Sequence, residues 1–275
     1  MAHLSPNRRR GKMKKKESRQ NQIYALLMEN EKLSVSELAE KMSVTRETIR
    51  SDLDDLERNG MISRGHGYAR ANRNLVEMPF DQRRGEHLED KRAVAWRAIE
   101  EIKDGMTVFL DTGTTIFAGL DLLRSKKDLT IVTNSLAVAQ VAESLDFKVI
   151  VAGGLLIGFG KRCAGFFTEQ MIEQIHFDLA ILGTDGLKDL KGFGVWMIEE
   201  IGWEREVIAS ASRRILIADV SKFDQYSAYR SGTLEEMDLL ITNFISEDKR
   251  KVLCERIDLV ETDGVRERFT KRTGR

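Results

Sequence analysis

Two helical patterns joined by a short turn occupy residues 33–58, with the sequence LSVSELAEKMSVTRETIRSDLDDLER. Ser34 is followed three residues later by Glu37, a spacing typical of a capping box, so the first helix is expected to begin directly after Ser34. Thr45 is the expected N-cap of the second helix. The arrangement predicts a helix-turn-helix, and the competing interpretation is an ordinary helical hairpin with a solvated outer face.

Both helices have one apolar face, because their apolar residues recur at three- and four-residue steps: Val35, Leu38, Ala39, Met42, Ile49, Leu53 and Leu56. The polar side chains on the opposite face of the second helix are of the types that bind base edges and phosphates in a DNA groove. We therefore predict a DNA-binding role for a set of polar residues: Ser34, Thr45, Arg46, Thr48, Arg50 and Ser51.

The flanking segments favour the DNA-binding interpretation. Upstream, three residues at helical spacing predict a supporting helix: Ile23, Leu26 and Leu27. Downstream, Asn59-Gly60 predicts the end of the second helix, and residues 61–70 (MISRGHGYAR) predict a hairpin wing. Arg64 and His66 of this wing are expected to reach DNA phosphates or the minor groove. These features together predict a winged helix-turn-helix, with double-stranded operator DNA as its partner.

The charge distribution agrees with this interpretation, although 44 Lys and Arg balance 44 Asp and Glu over the 275 residues. Residues 1–73 carry 16 basic and 10 acidic side chains, and most of the excess lies in residues 1–20. A basic run of this kind is typically disordered when free and can follow DNA phosphates. It is equally consistent with a leader that does not belong to the native chain, since Met13 could begin a chain of its own.

The composition restricts the class of protein. No apolar run approaches the roughly 20 residues that cross a membrane, and no apolar segment follows the basic N-terminus as in a signal peptide. The two cysteines, Cys163 and Cys254, and the four histidines have no metal-ligand spacing. We therefore expect a cytoplasmic protein without a membrane partner, a metal site or a cofactor.

The sequence predicts five segments. They are a basic disordered tail (1–17), a winged helix-turn-helix domain (18–73), a linker (74–89), an effector-binding and oligomerisation domain (90–260) and a charged C-terminal tail (261–275). The linker is polar and contains Pro79, one of two prolines in the chain. It leads into a helix that is expected over residues 90–103.

From residue 104 onward one pattern recurs: a short apolar run ends in small polar residues and is followed by a helical stretch. The runs are MTVFLD, LTIVTNS, FKVIVAGG, LAILGTDG, RILIADVSKF and DLLITN. Continuously apolar strands that alternate with helices predict an α/β fold with a mostly parallel sheet covered on both faces. In such sheets ligands bind beyond the carboxyl ends of the strands, where the strand order reverses.

The most specific candidate site is the segment Asp111-Thr112-Gly113-Thr114-Thr115, between a strand and a helix. Gly113 permits close approach of a ligand, and the amides and hydroxyls of Thr114 and Thr115 favour a phosphate or another small anion. Asp111 would repel phosphate, so it is better suited to accept hydrogen bonds from sugar hydroxyls. The competing interpretation is that these residues only cap a helix.

Other polar residues that follow strands are expected in the same cleft: Asn134, Gly153, Asp185 and Lys222. Lys161 and Arg162 either extend a positive rim of this cleft or are simply exposed.

Six motifs occur in order across both predicted domains: VSELAEKMSVTRETIRSDLDDLERNGMISR, FLDTGTT, TNS, GG, LGTDG and IADVSKF. In this order they resemble the DeoR-type family of bacterial sugar-responsive transcription regulators over about residues 18–245. The resemblance implies a C-terminal domain similar to ribose-5-phosphate isomerase, a dimer or tetramer, and repression relieved by a phosphorylated sugar. It also implies that the effector cleft is lined by Asp111, Gly113, Thr114, Thr115, Asn134, Gly153 and Lys222.

The chain departs from the family pattern at three places. Arg50-Ser51 stands where two arginines are common, and His66-Gly67-Tyr68 replaces the common His-Gly-Gly of the wing. Glu204 stands near a position where a lysine is common, which reverses a charge near the expected cleft.

The leading hypothesis is a DNA-binding transcriptional regulator, and not an enzyme, that represses sugar or carbohydrate metabolism genes. A phosphorylated sugar bound in the C-terminal domain would control it. The alternative is an aldose–ketose phosphate isomerase with an accessory DNA-binding domain, which would use Asp185, Lys191 and one of Glu204 or Glu206 for acid–base chemistry. A third interpretation makes the second domain only an oligomerisation module.

Overall fold

The structure is a computed structural model that describes residues 16, 19–20, 22–24, 26–27, 30, 32–58, 62–65, 67–71, 80–157 and 161–273. The chain divides into two compact units, Met1–Gln82 and Arg83–Arg275. Residues 1–15 of the predicted basic tail, Asn59-Gly60 and His66 lie outside the described residues.

The first unit contains helices α1 (Val35–Met42) and α2 (Arg46–Arg58) and strands β1 (Leu33–Ser34), β2 (Ile62–Gly65) and β3 (Tyr68–Ala71). The strands form an antiparallel sheet in the order β1-β3-β2. The described residues between positions 19 and 27 are helical, as the apolar spacing there predicted. These elements have the organisation of a winged helix-turn-helix, with the β2–β3 hairpin as the wing.

Side-chain caps fix the starts of both helices. Ser34 Oγ accepts a hydrogen bond from Glu37 N at 3.2 Å, and Glu37 Oε2 accepts one from Ser34 N at 2.7 Å, which confirms the capping box. Thr45 Oγ1 accepts from Thr48 N at 3.2 Å, which confirms the second N-cap. Ser43 takes the left-handed conformation in the turn between them, with φ of 52°.

The predicted apolar face forms the core of the first unit. Its fully or nearly fully buried side chains are Ile23, Tyr24, Leu27, Leu38, Ile49, Leu53 and Leu56. One acidic residue, Asp52, is buried beside them and is held by Arg19, whose Nε lies 2.5 Å from Asp52 Oδ2. Lys16 is helical and lies 2.5 Å from Asp55 Oδ2, so the expectation of a disordered tail extending to residue 17 is wrong at this residue.

The second unit contains twelve strands among its described residues. They are β4 (Thr107–Leu110), β5 (Thr130–Thr133), β6 (Lys148–Val151), β7 (Leu155–Ile157), β8 (Arg162–Ala164), β9 (Leu179–Leu182), β10 (Gly192–Val195), β11 (Arg214–Ala218), β12 (Tyr229–Thr233), β13 (Leu239–Thr242), β14 (Asp258–Thr262) and β15 (Glu267–Thr270). Eight of these strands form one sheet in the order β15-β14-β13-β11-β9-β4-β5-β6. Only the β14–β15 pair in this sheet is antiparallel, so the predicted α/β class with a mostly parallel sheet is confirmed. Two further antiparallel pairs, β7–β8 and β10–β12, stand apart from it.

Three strands of this sheet, β4, β5 and β13, are each followed directly by an α-helix. The described chain from residue 80 onward contains seven α-helices. They are α3 (Phe80–Gly85), α4 (Leu88–Glu100), α5 (Thr114–Phe117), α6 (Leu136–Ser144), α7 (Phe166–Glu173), α8 (Ile201–Ser210) and α9 (Glu247–Cys254). Short 3-10 helices lie at Leu120–Ser125, Ile198–Glu200, Val220–Asp224 and Leu234–Glu236. None of the helices described here is long and apolar enough to cross a membrane.

The sheet is buried on both faces, which explains why its strands are continuously apolar in sequence. Phe109 of β4 belongs to one apolar cluster, whereas its neighbours Val108 and Leu110 belong to the other. The strand order reverses between β4 and β9, since β5 and β6 extend from one side of β4 and β9 lies on the other. This reversal is where an α/β sheet forms a ligand crevice.

Two predicted segments differ from the structure. The predicted linker 74–89 contains α3 and the start of α4. The predicted charged tail 261–275 contains the end of β14 and all of β15, and Phe269 of β15 pairs with Val260. A charged strand is stable at the edge of a sheet because solvent covers its outer side, so charge alone does not distinguish it from a tail.

Candidate functional site

The outer face of α2 presents the residues that were predicted to contact DNA. Arg46, Arg50 and Ser51 are exposed, and Thr48 is half-buried with its hydroxyl 3.0 Å from that of Thr45. Arg50 Nη1 lies 3.9 Å from Glu47 Oε1, in a loose pair that solvent reaches from both sides. A pair of this kind contributes little to stability, so Arg50 can exchange this carboxylate for a phosphate or a base edge at little cost.

The wing is packed differently from a simple glycine turn. Gly67 has φ of +82°, the left-handed region that favours glycine. A Cβ on Gly65 would lie 2.3 Å from the ring of Tyr68, so a larger residue at position 65 would displace the end of the Tyr68 side chain. Arg64 forms ion pairs with Asp54 and Glu57 of α2, the second at 3.8 Å. Its predicted contact with DNA therefore requires Arg64 to leave these carboxylates.

Asp111 joins the two strands at which the strand order reverses. It directly follows β4, and its Oδ2 accepts a hydrogen bond from Gly183 N, directly after β9, at 2.7 Å. Its Oδ1 accepts from Thr112 N at 2.5 Å. A Cβ at position 183 would lie 2.8 Å from Asp111 Oδ2, so Gly183 is needed for this approach. Sequence reasoning identified Asp111 but not its partner, because the two residues are 72 positions apart.

The buried position of Asp111 disfavours the charged form of its carboxyl group. Burial raises its pKa, and the negative charge of Asp185 acts in the same direction. The two backbone hydrogen bonds and the positive charge of Arg162 oppose this rise in the pKa. Two backbone donors and the charge of Arg162 therefore stabilise the charged form of Asp111 at the point where the ligand crevice is expected.

The threonines after Asp111 are placed as expected, but the helix that they begin is short. Gly113 is the N-cap residue of α5, so no side chain caps this helix. Thr114 and Thr115 are buried within its single turn. A Cβ on Gly113 would meet only Asp111 Oδ2, at 3.5 Å. No close packing within the described chain therefore requires glycine there, which leaves room for a ligand at this backbone.

Asn134 and Gly153 lie at the ends of β5 and β6, beside β8. Asn134 Nδ2 donates to Cys163 O at 2.8 Å, while its buried Oδ1 accepts no hydrogen bond from any described residue. Gly153 O accepts from Thr168 Oγ1 at 3.0 Å, and a Cβ on Gly153 would meet no atom within 4 Å. At the carboxyl edge of the sheet, Asn134 thus has a buried acceptor without a described partner, and Gly153 has open space beside its Cα.

Asp185 is held by the chain itself. Its Oδ2 accepts from Trp196 N at 3.0 Å, and its Oδ1 lies 3.4 Å from Arg83 Nη1. Lys191, which an isomerase site would need near Asp185, is an exposed loop residue whose backbone N donates to Asp189.

A positive cluster that sequence reasoning missed lies at the carboxyl end of β11. Lys91 of α4 is buried, and its Nζ donates to Arg83 O at 2.5 Å. Burial lowers the pKa of Lys91 to about 8. The positive charges of Lys222 and Arg83 reinforce this fall in the pKa, and the negative charge of Asp219 opposes it. Lys222, the predicted residue, is half-buried and lies 3.4 Å from Gln225 Oε1.

Asp219 is the acidic member of this cluster. It is fully buried, and its Oδ1 accepts from Ser221 N and Ser221 Oγ. Its Oδ2 has no hydrogen-bond partner within the described part of the chain. We call Arg83, Lys91 and Lys222 the basic cluster.

Arg162 is neither exposed nor part of a rim, so both predictions for it are wrong. It is buried and forms a two-point ion pair with the buried Glu200, with Nε–Oε1 at 2.8 Å and Nη2–Oε2 at 3.0 Å. The partners lie on β8 and on a 3-10 helix 38 residues later, a separation that no local pattern could reveal.

Glu204 is buried on α8, and burial raises its pKa well above the ordinary glutamate value. The negative charges of Asp111, Glu200 and Asp185 raise this pKa further. Its Oε2 accepts no hydrogen bond from the residues described. The carboxyl of Glu204 therefore keeps its proton to a higher pH than an ordinary glutamate does.

Replacing Glu204 by glutamine is expected to flatten the pH dependence of stability. Because the folded-state pKa of Glu204 is raised, its contribution to stability is fully present below the unfolded pKa and is lost as pH rises through the folded value. The variant and the native protein should therefore have similar free energies of unfolding near pH 4.5, and the variant should be more stable at higher pH. Urea unfolding across this range measures the difference, and Glu143→Gln, at an exposed position on α6, is the control. Parallel pH profiles for the native protein and Glu204→Gln would contradict the expectation.

Comparison with known proteins identifies both units. A family model described as the DeoR C terminal sensor domain matches residues 86–243, and one described as the DeoR-like helix-turn-helix domain matches residues 19–74. The HTH-type transcriptional regulator GlpR of Haloferax volcanii is 34% identical over 251 residues, which cover 90% of this chain and 97% of that protein. The glycerol-3-phosphate regulon repressor of Escherichia coli is 32% identical over 230 residues, covering 83% and 91%.

Among solved structures, ribose 5-phosphate isomerase from Plasmodium falciparum matches with a TM-score of 0.36 and 26% identity. The match spans 49% of this chain and about half, 52%, of that isomerase. The family models cover the helix-turn-helix, the wing and six of the eight strands of the sheet described above. The chain therefore belongs to the DeoR family of DNA-binding transcription regulators, with a helix-turn-helix domain followed by a sensor domain.

Proposed function

We propose that this regulator represses genes of carbohydrate metabolism and that a phosphorylated sugar, bound in the second unit, releases it from operator DNA. One observation carries the proposal: open acceptors and the basic cluster occur together at the carboxyl edge of the sheet, where its strand order reverses. Asn134 Oδ1 and Asp219 Oδ2 are buried acceptors without a described partner. Buried polar atoms of this kind are costly unless something binds them.

The proposed site has one part that suits hydroxyl groups and one that suits a phosphate, and a sugar phosphate carries both kinds of group. Asp111, Asn134 and Gly153 supply acceptors and open backbone for hydroxyl groups, near the raised-pKa carboxyl of Glu204. Thr114 and Thr115 offer amides at the start of α5, and Lys222 of the basic cluster supplies positive charge for a phosphate. Asp185 is proposed to orient Trp196 and Arg83 around the ligand, since both are its partners. The name of the Escherichia coli relative supports a phosphorylated metabolite as the effector class.

The protein is proposed to act in the cytoplasm as a dimer or tetramer on repeated operator half-sites, without catalytic turnover. Repeated half-sites require a symmetric oligomer. The isomerase alternative has less support, because Asp185 is already bound by Trp196 N and Lys191 is exposed on a loop. Incubation with ribose 5-phosphate and product analysis tests this point, and steady conversion that disappears in Asp185→Asn would establish the enzyme instead.

The function is tested by fluorescence anisotropy on the DNA upstream of the protein's own gene, with a panel of sugar phosphates and polyol phosphates. Salt is held constant because phosphate contacts make affinity steeply salt-dependent. Specific binding that one phosphorylated compound reverses, and its unphosphorylated form does not, is the expected result. Specific binding that no member of the panel changes would remove support from the effector cleft and leave the DNA-binding domain in place.

Replacing Arg50 by alanine is expected to weaken operator binding about 10- to 100-fold and to leave effector binding intact. Arg50 is exposed on the outer face of α2, so its removal does not disturb the core. Arg124→Ala removes the same charge from an exposed position of the second unit and serves as the control. Unchanged operator affinity in Arg50→Ala would place Arg50 outside the DNA interface.

A further inference from the structure

An exposed apolar surface lies on the second unit, around the β7–β8 hairpin and the start of α7. Six large apolar side chains form it, and we call this surface the apolar patch: Leu155, Leu156, Phe166, Phe167, Met171 and Ile198. Phe166 and Phe167 are 67% and 71% exposed, with ring centroids 5.6 Å apart, and Leu155 is 68% exposed. Two adjacent phenylalanines in contact with water are costly in a free protein.

The segments that carry the patch are brought together by the fold. Leu155 pairs with Ala164, which precedes Phe166 by two residues, so β7 lies beside the start of α7. Ile198 precedes Glu200 by two residues, and Glu200 is bound by Arg162 of β8. The buried ion pair thus fixes the third segment against the same hairpin. The patch is therefore a fixed feature of folded elements.

We propose that two copies of this chain associate through the apolar patch about a two-fold axis. None of the six side chains is charged, so the patch can face a copy of itself without opposing like charges, as a two-fold interface requires. With about 200 Å² for a fully exposed large side chain, the exposed fractions correspond to roughly 700 Å² on one copy. This area approaches the roughly 800 Å² that each partner buries in a stable complex.

The patch and the proposed effector cleft share their supporting elements. Thr168 of α7 donates to Gly153 O at 3.0 Å, and a Cβ on Gly154 would lie 2.2 Å from Thr168 Oγ1, so α7 rests on this loop. Asn134 Nδ2 donates to Cys163 O, and Cys163 N donates to Asn134 O, both at 2.8 Å, so β8 is bound to the loop after β5. A ligand at Asn134 and Gly153 would therefore change the free energy of association, and association would change ligand affinity by the same factor. This coupling rests on the proposed function, whereas the interface itself does not.

The test is sedimentation velocity of the full-length protein over a wide concentration range, for the native chain and for Phe167→Asp. The substitution introduces a carboxylate into the apolar patch of each copy, so two charges enter each dimer interface. We expect the dissociation constant to rise on the order of 100-fold or more. Phe269→Asp is the matched control, because Phe269 is an exposed phenylalanine of the same unit on β15. Near-UV circular dichroism checks that each variant is folded, and Ile198→Asp supplies the same charge on a second segment of the patch.

A native dimer that Phe167→Asp or Ile198→Asp dissociates in the folded state, and that Phe269→Asp preserves, supports the proposal. A native monomer at all concentrations, association that survives in both patch variants, or equal loss in the Phe269→Asp control would overturn it. Operator binding and its reversal by sugar phosphates are measured separately on the native chain. Failure of the proposed effector response would appear there and not in the sedimentation experiment, so this failure and that of the interface are distinguishable.

Discussion

Replacing Arg19 by methionine is expected to destabilise the DNA-binding unit by about 3 kcal/mol. Arg19 Nε and Nη2 lie 2.5 Å and 3.1 Å from the two carboxylate oxygens of Asp52, which is fully buried on α2. Without the guanidinium, the remaining donor to the buried carboxylate among the described residues is a weak neutral one, Gln20 Nε2 at 3.5 Å. Hydrogen exchange of the α2 amides measures the effect, since 3 kcal/mol corresponds to a loss of protection of roughly 100-fold.

Two further variants separate the buried pair from a general loss of positive charge. Lys16→Met removes the neighbouring pair with Asp55, but the Lys16 side chain is 41% exposed, so we expect a change below about 1 kcal/mol. The double variant with Arg19→Met and Asp52→Leu should recover most of the lost stability, because an apolar pair can replace a buried ion pair at little cost. Equal effects of Arg19→Met and Lys16→Met would refute this account of Arg19.

Features of this fold that depend on residues close together in the sequence were predictable. The caps at Ser34 and Thr45 involve residues three positions apart, so their spacing in the sequence was sufficient to predict both helix starts. The parallel strands were predictable because burial on both faces leaves a continuous apolar run. The edge strand β15 was not, because its outer side is solvated and its charged residues resemble those of a tail.

Features that depend on distant partners were not predictable in this way. Arg19 was counted with the basic run, yet it is bound to Asp52, 33 residues away. Lysines are common in amphipathic helices, so the sequence did not predict that Lys91 is a buried member of the site. The fold brings it near Asp219. Arginine and glutamate are usually exposed, so the burial of Arg162 and Glu200 was not predicted from the sequence. The ion pair between them compensates for the burial of both charges. The predicted cleft residues all follow strands, so their positions were predictable and their partners were not.

Replacing Asp111 by asparagine is expected to weaken the response to the effector strongly while operator binding remains intact. Asp111 uses both carboxylate oxygens to accept from Gly183 N and Thr112 N, and an amide can accept with only one. The amide NH2 would then face a backbone N–H, and the close contact at Gly183 prevents the side chain from shifting. The loss of a charged acceptor at this point should weaken effector binding by about 10- to 100-fold. The free energy of unfolding should change less, because the substitution also removes a buried charge whose pKa is raised by burial and by Asp185.

The matched control for this prediction is Asp178→Asn, at the opposite end of the same two strands. Asp178 directly precedes β9, and its Oδ2 accepts from Thr107 N, the first residue of β4, at 2.8 Å in an exposed position. The same substitution there tests the β4–β9 connection away from the proposed cleft. Isothermal titration with the active sugar phosphate and anisotropy on the operator should show loss of binding and of release in Asp111→Asn, and neither loss in Asp178→Asn. If Asp111→Asn still binds the effector and is released from DNA like the native protein, the cleft does not lie at the carboxyl ends of β4 and β9. Equal loss in both variants would assign the effect to the connection between the strands, because only Asp111 lies at their carboxyl ends.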